Sequence, residues 1–176
     1  MRSICLVLVV VLLGLGGCAA NVKKSAEGTP LHVAAESKKS IAMHLDGSKI
    51  TTEAGDWIAF KGEWRAAMRK AADAHGIAYD DDDSATHPSV RPGTLVEVYI
   101  NDYRYISPGA RYGFGIMTGN AYVDAKVRFS DLGSTASYGE RKYDTTSTAW
   151  QGIFSAMTEK QVQAICKEMV DAILAP

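Results

Sequence analysis

AYVDAKVRFSD, residues 121–131, is the clearest two-residue alternation in the chain. Ala121, Val123, Ala125, Val127 and Phe129 share one parity; Tyr122, Asp124, Lys126 and Arg128 share the other. Successive side chains of a strand point to opposite faces of its sheet, so this period predicts a strand with one buried and one solvated face. Such one-sided burial is the mark of antiparallel pairing. Upstream, Val96, Val98 and Ile100 alternate with Glu97, Tyr99 and Asn101, a second half-buried strand. Downstream, Asp131-Leu132-Gly133-Ser134 is a turn signal, and residues 135–144 read as a third strand, more polar and so an edge.

Helical periodicity flanks these strands. Trp57, Phe60, Trp64, Ala67, Met68 and Ala71 recur at spacings of three and four. They predict a helix from an Asp56 N-cap to about His75, with Gly76 as its C′ residue. Near the C-terminus, Val162, Ile165, Cys166, Met169, Val170 and Ile173 form a second apolar stripe. Thr148-x-x-Gln151 and Thr158-x-x-Gln161 both fit the capping box, so this region holds two consecutive helices or one kinked one. A first strand is placed at residues 40–45, followed by an Asp46-Gly47 turn, and a short one at 77–79. The expected fold class is α+β, an antiparallel β-meander of three to five strands with amphipathic helices packed on one face. Residues 31–176 form a single domain.

The first 17 residues carry a different pattern. Arg2 precedes an apolar run over residues 4–15, closed by Leu15-Gly16-Gly17-Cys18. About a dozen apolar residues are too few for a bilayer span, which takes roughly 20, and suit a cleavable signal peptide. The Leu-Gly-Gly-Cys run resembles the lipobox of bacterial lipoproteins. That resemblance implies acylation of Cys18 (thioether-linked diacylglycerol and an amide-linked chain such as palmitate) as first residue of the mature protein. Ala19 after the cysteine resembles lipoproteins sorted to the outer membrane, facing the periplasm. Residues 18–30 are small, polar and aperiodic, a tether of about 20 Å at 5–6 Å × √n.

Removal of residues 1–17 takes only Arg2 from 19 basic residues, leaving 18 against 20 acidic ones. A net charge near −2 offers no basic stripe for nucleic acid. Of three cysteines, Cys5 leaves with the signal and Cys18 is acylated, so Cys166 has no partner for a disulfide. Its place in an apolar helix stripe marks it as a buried hydrophobe, not a nucleophile.

Motifs for chemistry are sparse. Asp80-Asp81-Asp82-Asp83 lacks the spacing, glycine and terminal Glu of a calcium loop and reads as a solvated turn. His32, His44, His75 and His87 are scattered without metal-site spacing. Gly113-x-Gly115-x-x-x-Gly119 is followed by a strand, not the helix N-terminus a phosphate loop needs, so it reads as a hairpin connection. No G-x-S-x-G, H-E-x-x-H or S-x-x-K motif is present. The expectation is therefore no enzyme, no cofactor and no metal. Seven of eight tyrosines fall between Tyr99 and Tyr143. Tyrosine is at home in strands, but Tyr99, Tyr103, Tyr105 and Tyr122, with Asp124, Lys126 and Arg128, also fit a protein-binding sheet face.

The run GTLVEVYINDYRYISPGARYGFGIMTGNAYVDAKVRFSDLG, residues 93–133, is similar to the lipoproteins grouped as domain of unknown function 4410. The likeness lies in a strand ending in Asp102-Tyr103, a glycine-rich connection and a second strand ending in Asp131. The element order also resembles the small α/β domain of the curli secretion lipoprotein and of the Tol-system periplasmic protein. These resemblances imply an envelope-associated binding or assembly role and carry no catalytic residues. The expectation is an accessory subunit of an envelope complex, held to the membrane by acylated Cys18. The alternatives are an immunity lipoprotein against a periplasmic lytic enzyme and a small envelope hydrolase.

Overall fold

The structure, a computed structural model, describes residues 22–24, 30–81, 92–105, 121–146 and 157–176. The lipobox and Cys18, Asp82 and Asp83, His87, the Gly113–Gly119 connection and the Thr148 capping box lie outside these residues.

The elements in order are β1 (Val22–Lys24), β2 (Ser40–Gly47), α1 (Lys49–Thr52), α2 (Trp57–Asp73), β3 (Ala78–Asp81), β4 (Thr94–Arg104), β5 (Tyr122–Asp131), β6 (Ser137–Thr146) and α3 (Met157–Leu174). They form one sheet of strand order β1-β6-β5-β4-β2-β3. The α+β class holds, and β4-β5-β6 is the antiparallel meander that alternation predicts. The sheet is nevertheless mixed: β2 runs parallel to both β3 and β4. The helical connection from β2 to β3 reverses the chain once, so both strands start at the same end of the sheet. β6, expected at an edge, is covered by Val22–Lys24, three residues of the predicted tether, which pair with Tyr143 to Thr145.

The core fills one side of this sheet. Ile41, Met43 and Leu45 from β2, Val96, Val98 and Ile100 from β4, and Val123, Ala125, Val127 and Phe129 from β5 join one cluster. Trp57, Phe60, Trp64 and Met68 of α2 close it with Val162, Ile165, Met169 and Ile173 of α3. Cys166 belongs to it with no exposed surface, and burial pushes its thiol well above the ordinary range.

Helix ends follow the predicted boundaries, with different chemistry at two of them. Gly76, at φ +68, closes α2 as a Schellman motif: Gly76 N donates to Asp73 O at 3.1 Å and Ile77 N to Ala72 O at 3.0 Å. Asp56 precedes α2, but its side chain makes no cap bond; it accepts from Tyr103 instead. Thr158 lies inside α3 rather than at its cap, and buried Gln161 donates to Ala121 O at 3.1 Å. α1, unforeseen in the sequence, opens on a Ser48 cap just past Gly47. Gly47 lets α1 pack closely on β4, since a Cβ there would sit 3.0 Å from Ile100 O.

Candidate interaction face

The side of the sheet away from the two helices carries the opposite parity. From β5 it receives Tyr122, Asp124, Lys126 and Arg128; from β4, Glu97 and Tyr99; from β6, Glu140 and Lys142; from β2, His44 and Asp46. The apolar exception is a small cluster at one end, Ala42, Leu95 and Leu132.

Cross-strand ion pairs tile the middle of this face. Arg128 stands opposite Glu97 at 3.8 Å. Lys126 reaches Glu140 at 2.9 Å and Lys142 reaches Asp124 at 3.6 Å, both diagonally. Asn101 donates to Asp124 at 3.2 Å. Tyr99 faces Lys126 and is 44% exposed. The two lie in a shallow hollow of about 360 Å³ shared with His44, Glu97 and Arg128. Exposed pairs of this kind contribute roughly 0–1 kcal/mol each, so they lose little by exchanging partners. The arrangement offers charge, hydrogen bonding and two aromatic rings, those of Tyr99 and Tyr122. Among the described residues no three His, Cys, Asp or Glu side chains gather where a metal could be held.

The seven residues expected on one face divide into two groups. Tyr99, Tyr122, Asp124, Lys126 and Arg128 share the open side. Tyr103 and Tyr105 do not. A bulge between Ile100 and Asp102 adds Asn101 to β4 and flips the parity beyond it. Tyr103 therefore turns toward α2 and stacks on Phe60, ring centroids 4.1 Å apart and planes 4° from parallel. Its hydroxyl donates to Asp56 at 2.5 Å. Burial first, and that carboxylate second, raise the Tyr103 hydroxyl above the usual phenol range. Tyr105 meets Phe60 edge-on at 6.1 Å, and its hydroxyl is raised by burial and by Glu63. Tyr122 stays on the open side and donates to Asp102 at 3.0 Å.

Asp131 matters more than a turn residue would. Its carboxylate accepts from Ser37 Oγ at 2.7 Å, Gly133 N at 3.1 Å, Ser134 N at 2.8 Å, Ser134 Oγ at 2.9 Å and Tyr138 OH at 2.9 Å. The Ser37 bond foremost, then those from Ser134, hold its carboxyl well below the ordinary range. Asp131 ties the segment before β2 to the β5–β6 turn. The sequence marks it only as the first residue of a turn, because its partners Ser37 and Tyr138 are joined to it by the fold.

No family model matches the chain, and no curated protein matches it. Solved structures similar to it include a point-substituted PelC dodecamer from Paraburkholderia phytofirmans, at 13% identity over 84% of this chain and 95% of that one, with a TM-score of 0.49. A second PelC dodecamer from the same organism gives 12% identity over 84% and 96%, with a TM-score of 0.48. Protein XCC0632 from Xanthomonas campestris, assigned to family model DUF330, gives 9% identity over 75% and 81%, with a TM-score of 0.47. At TM-scores under 0.5, none of these likenesses carries over to the role of this chain.

Proposed function

We propose that this chain is a lipid-anchored envelope domain, tethered through acylated Cys18 on the periplasmic side of the outer membrane. It binds a protein partner through the open face of its sheet, as an accessory subunit of an envelope complex. The observation that carries the proposal is the asymmetry of β5, with zero exposure at Val123, Ala125, Val127 and Phe129 and a solvated opposite parity. A row of loosely paired charges around an exposed tyrosine suits reversible recognition, since aromatic residues and Arg are favoured at interface centres.

The test is site-specific photocrosslinking in intact envelopes. A crosslinker in place of Tyr99 should trap a stoichiometric protein partner, and one in place of Lys70 on α2 should not. Equal trapping at both positions, or none at Tyr99, removes the assignment of the face. A trapped lytic enzyme whose activity the chain inhibits would move the role to immunity. For the anchor, Cys18→Ser should release the protein from membranes, and persistent membrane association would sink that part of the proposal.

A further inference from the structure

We propose that the end of the sheet where β2 and β4 finish rests on a lipid surface, with Ile50 and Ile58 seated among the lipid headgroups. This rests on the anchor reading of Cys18 and adds an orientation to it. The register defines the end in question. Gly47 pairs with Ile100 near the end of β4, Arg104 with Tyr122, Tyr122 with Thr146, and Val22 with Thr145. The chain thus enters the domain, at Val22, at the end where β2 and β4 leave the sheet.

The same end carries the two most exposed large apolar side chains among the described residues, Ile50 at 88% and Ile58 at 79%. Each is the second residue of a helix starting just beyond β2, Ile50 in α1 and Ile58 in α2. Ile58 stands off the inward stripe that Trp57, Phe60 and Trp64 supply. Single exposed apolar residues are common and need no cause. Two of this exposure at the point of chain entry are a different matter. Val22 follows Cys18 by four residues, which reach at most about 14 Å fully extended. Acyl chains on Cys18 would hold this end against the bilayer surface, where apolar side chains settle at the headgroup boundary.

Charge does not compete with this. Lys49 pairs with Glu53 at 3.8 Å, and the four basic residues of this end, Lys23, Lys24, Lys49 and Arg104, are balanced by Asp46, Glu53, Asp56, Asp102 and Asp144, so the seating is apolar and independent of lipid charge. In this orientation the strands run away from the membrane, and the face bearing Tyr99 is presented sideways, clear of lipid.

The experiment uses the full acylated chain on vesicles of phosphatidylethanolamine, with and without phosphatidylglycerol. Ile50→Cys, Ile58→Cys and, as the far-end control, Asp73→Cys are labelled with an environment-sensitive fluorophore. Cys166 is fully buried and takes no label. The expected result is a blue shift and quenching by nitroxide lipids at 50 and 58 but not at 73, equal in both lipid mixtures. Equal response at all three positions on vesicle-bound, acylated protein overturns the orientation while leaving the anchor intact. A blue shift at 50 and 58 without lipid quenching also overturns it and assigns those residues to a protein contact or a second copy. Protein that carries no acyl chain and does not float with vesicles sinks the anchor, and the orientation with it.

Discussion

The two faces of β5 are built from one alternation and obey different physics. On the helix side, Val123, Ala125, Val127 and Phe129 have zero exposure and belong to one core cluster with residues of β4, β6, α2 and α3. On the other side, Asp124, Lys126 and Arg128 meet partners at 2.9 to 3.8 Å in ion pairs open to water. Close packing makes the first face intolerant, because an emptied volume finds no replacement atoms. Water makes the second tolerant, because it competes for every charge. Identity matters for folding on one side and for recognition on the other.

The largest expected effect lies on the closed face. Phe129→Ala removes a fully buried ring from the sheet centre and should lower unfolding free energy by about 3–5 kcal/mol. Chemical denaturation reads it directly. A loss under about 1 kcal/mol would mean that the helix layer is not packed as described.

Asp131 comes next, because it joins the two faces at the end of β5. Asp131→Asn keeps the shape but exchanges a charged acceptor for an amide, leaving Ser37, 2% exposed, with a weaker partner. Hydrogen bonds to charged groups contribute roughly 1.5–3 kcal/mol each in net terms, so a loss of about 2 kcal/mol near neutral pH is expected. The carboxyl is held below its unfolded value of about 3.9. Its contribution is therefore fully present above that value and lost as pH falls through it toward the folded one. Wild-type stability should fall more steeply than that of the Asn variant as pH drops from about 5 through 4 and on below 3. Parallel pH profiles would show that Asp131 carries no such linkage.

Tyr103→Phe isolates one hydrogen bond. The ring stack on Phe60 survives and the Asp56 carboxylate loses its donor. A loss of about 0.5–1.5 kcal/mol is expected, and Tyr103→Ala should be distinctly worse because the ring itself packs against Phe60. Equal losses for the two would assign the whole effect to the hydroxyl.

How much of this could be read in advance follows the same division between faces. The closed face was legible because burial imposes strict periods: 2 along β5 and 3.6 along α2 and α3 fall where the apolar residues recur. The bulge in β4 left a trace too. Its inward positions shift from even numbers (96, 98 and 100) to odd ones (103 and 105) across Asn101-Asp102. Tyrosine is at home on either side of a sheet, so that shift is ambiguous until the Phe60 stack fixes it. The parallel pairing of β2 left no local mark, since parallel and antiparallel strands of this length share one period. Asp56 and Asp131 were placed at a cap and a turn by sequence, but their partners lie 47 and 94 residues away and are chosen by topology.

The smallest stability effect per side chain changed belongs to the open face, where it decides the most. Lys126→Glu with Arg128→Glu reverses two charges whose partners, Glu140 and Glu97, are half exposed and about a third exposed. Each broken pair is worth under about 1 kcal/mol, and the like charges left behind are relieved by side chains swinging into water. The double variant should therefore unfold within about 1–2 kcal/mol of wild type. Partner trapping from a crosslinker at Tyr99 should nevertheless disappear, because reversed charge at an interface opposes docking directly. A variant that folds and still traps its partner at wild-type yield would show that this face is only a solvated side of the sheet. If folding collapses instead, the open face is coupled to the core through β5, and the division between the two faces of that strand does not hold.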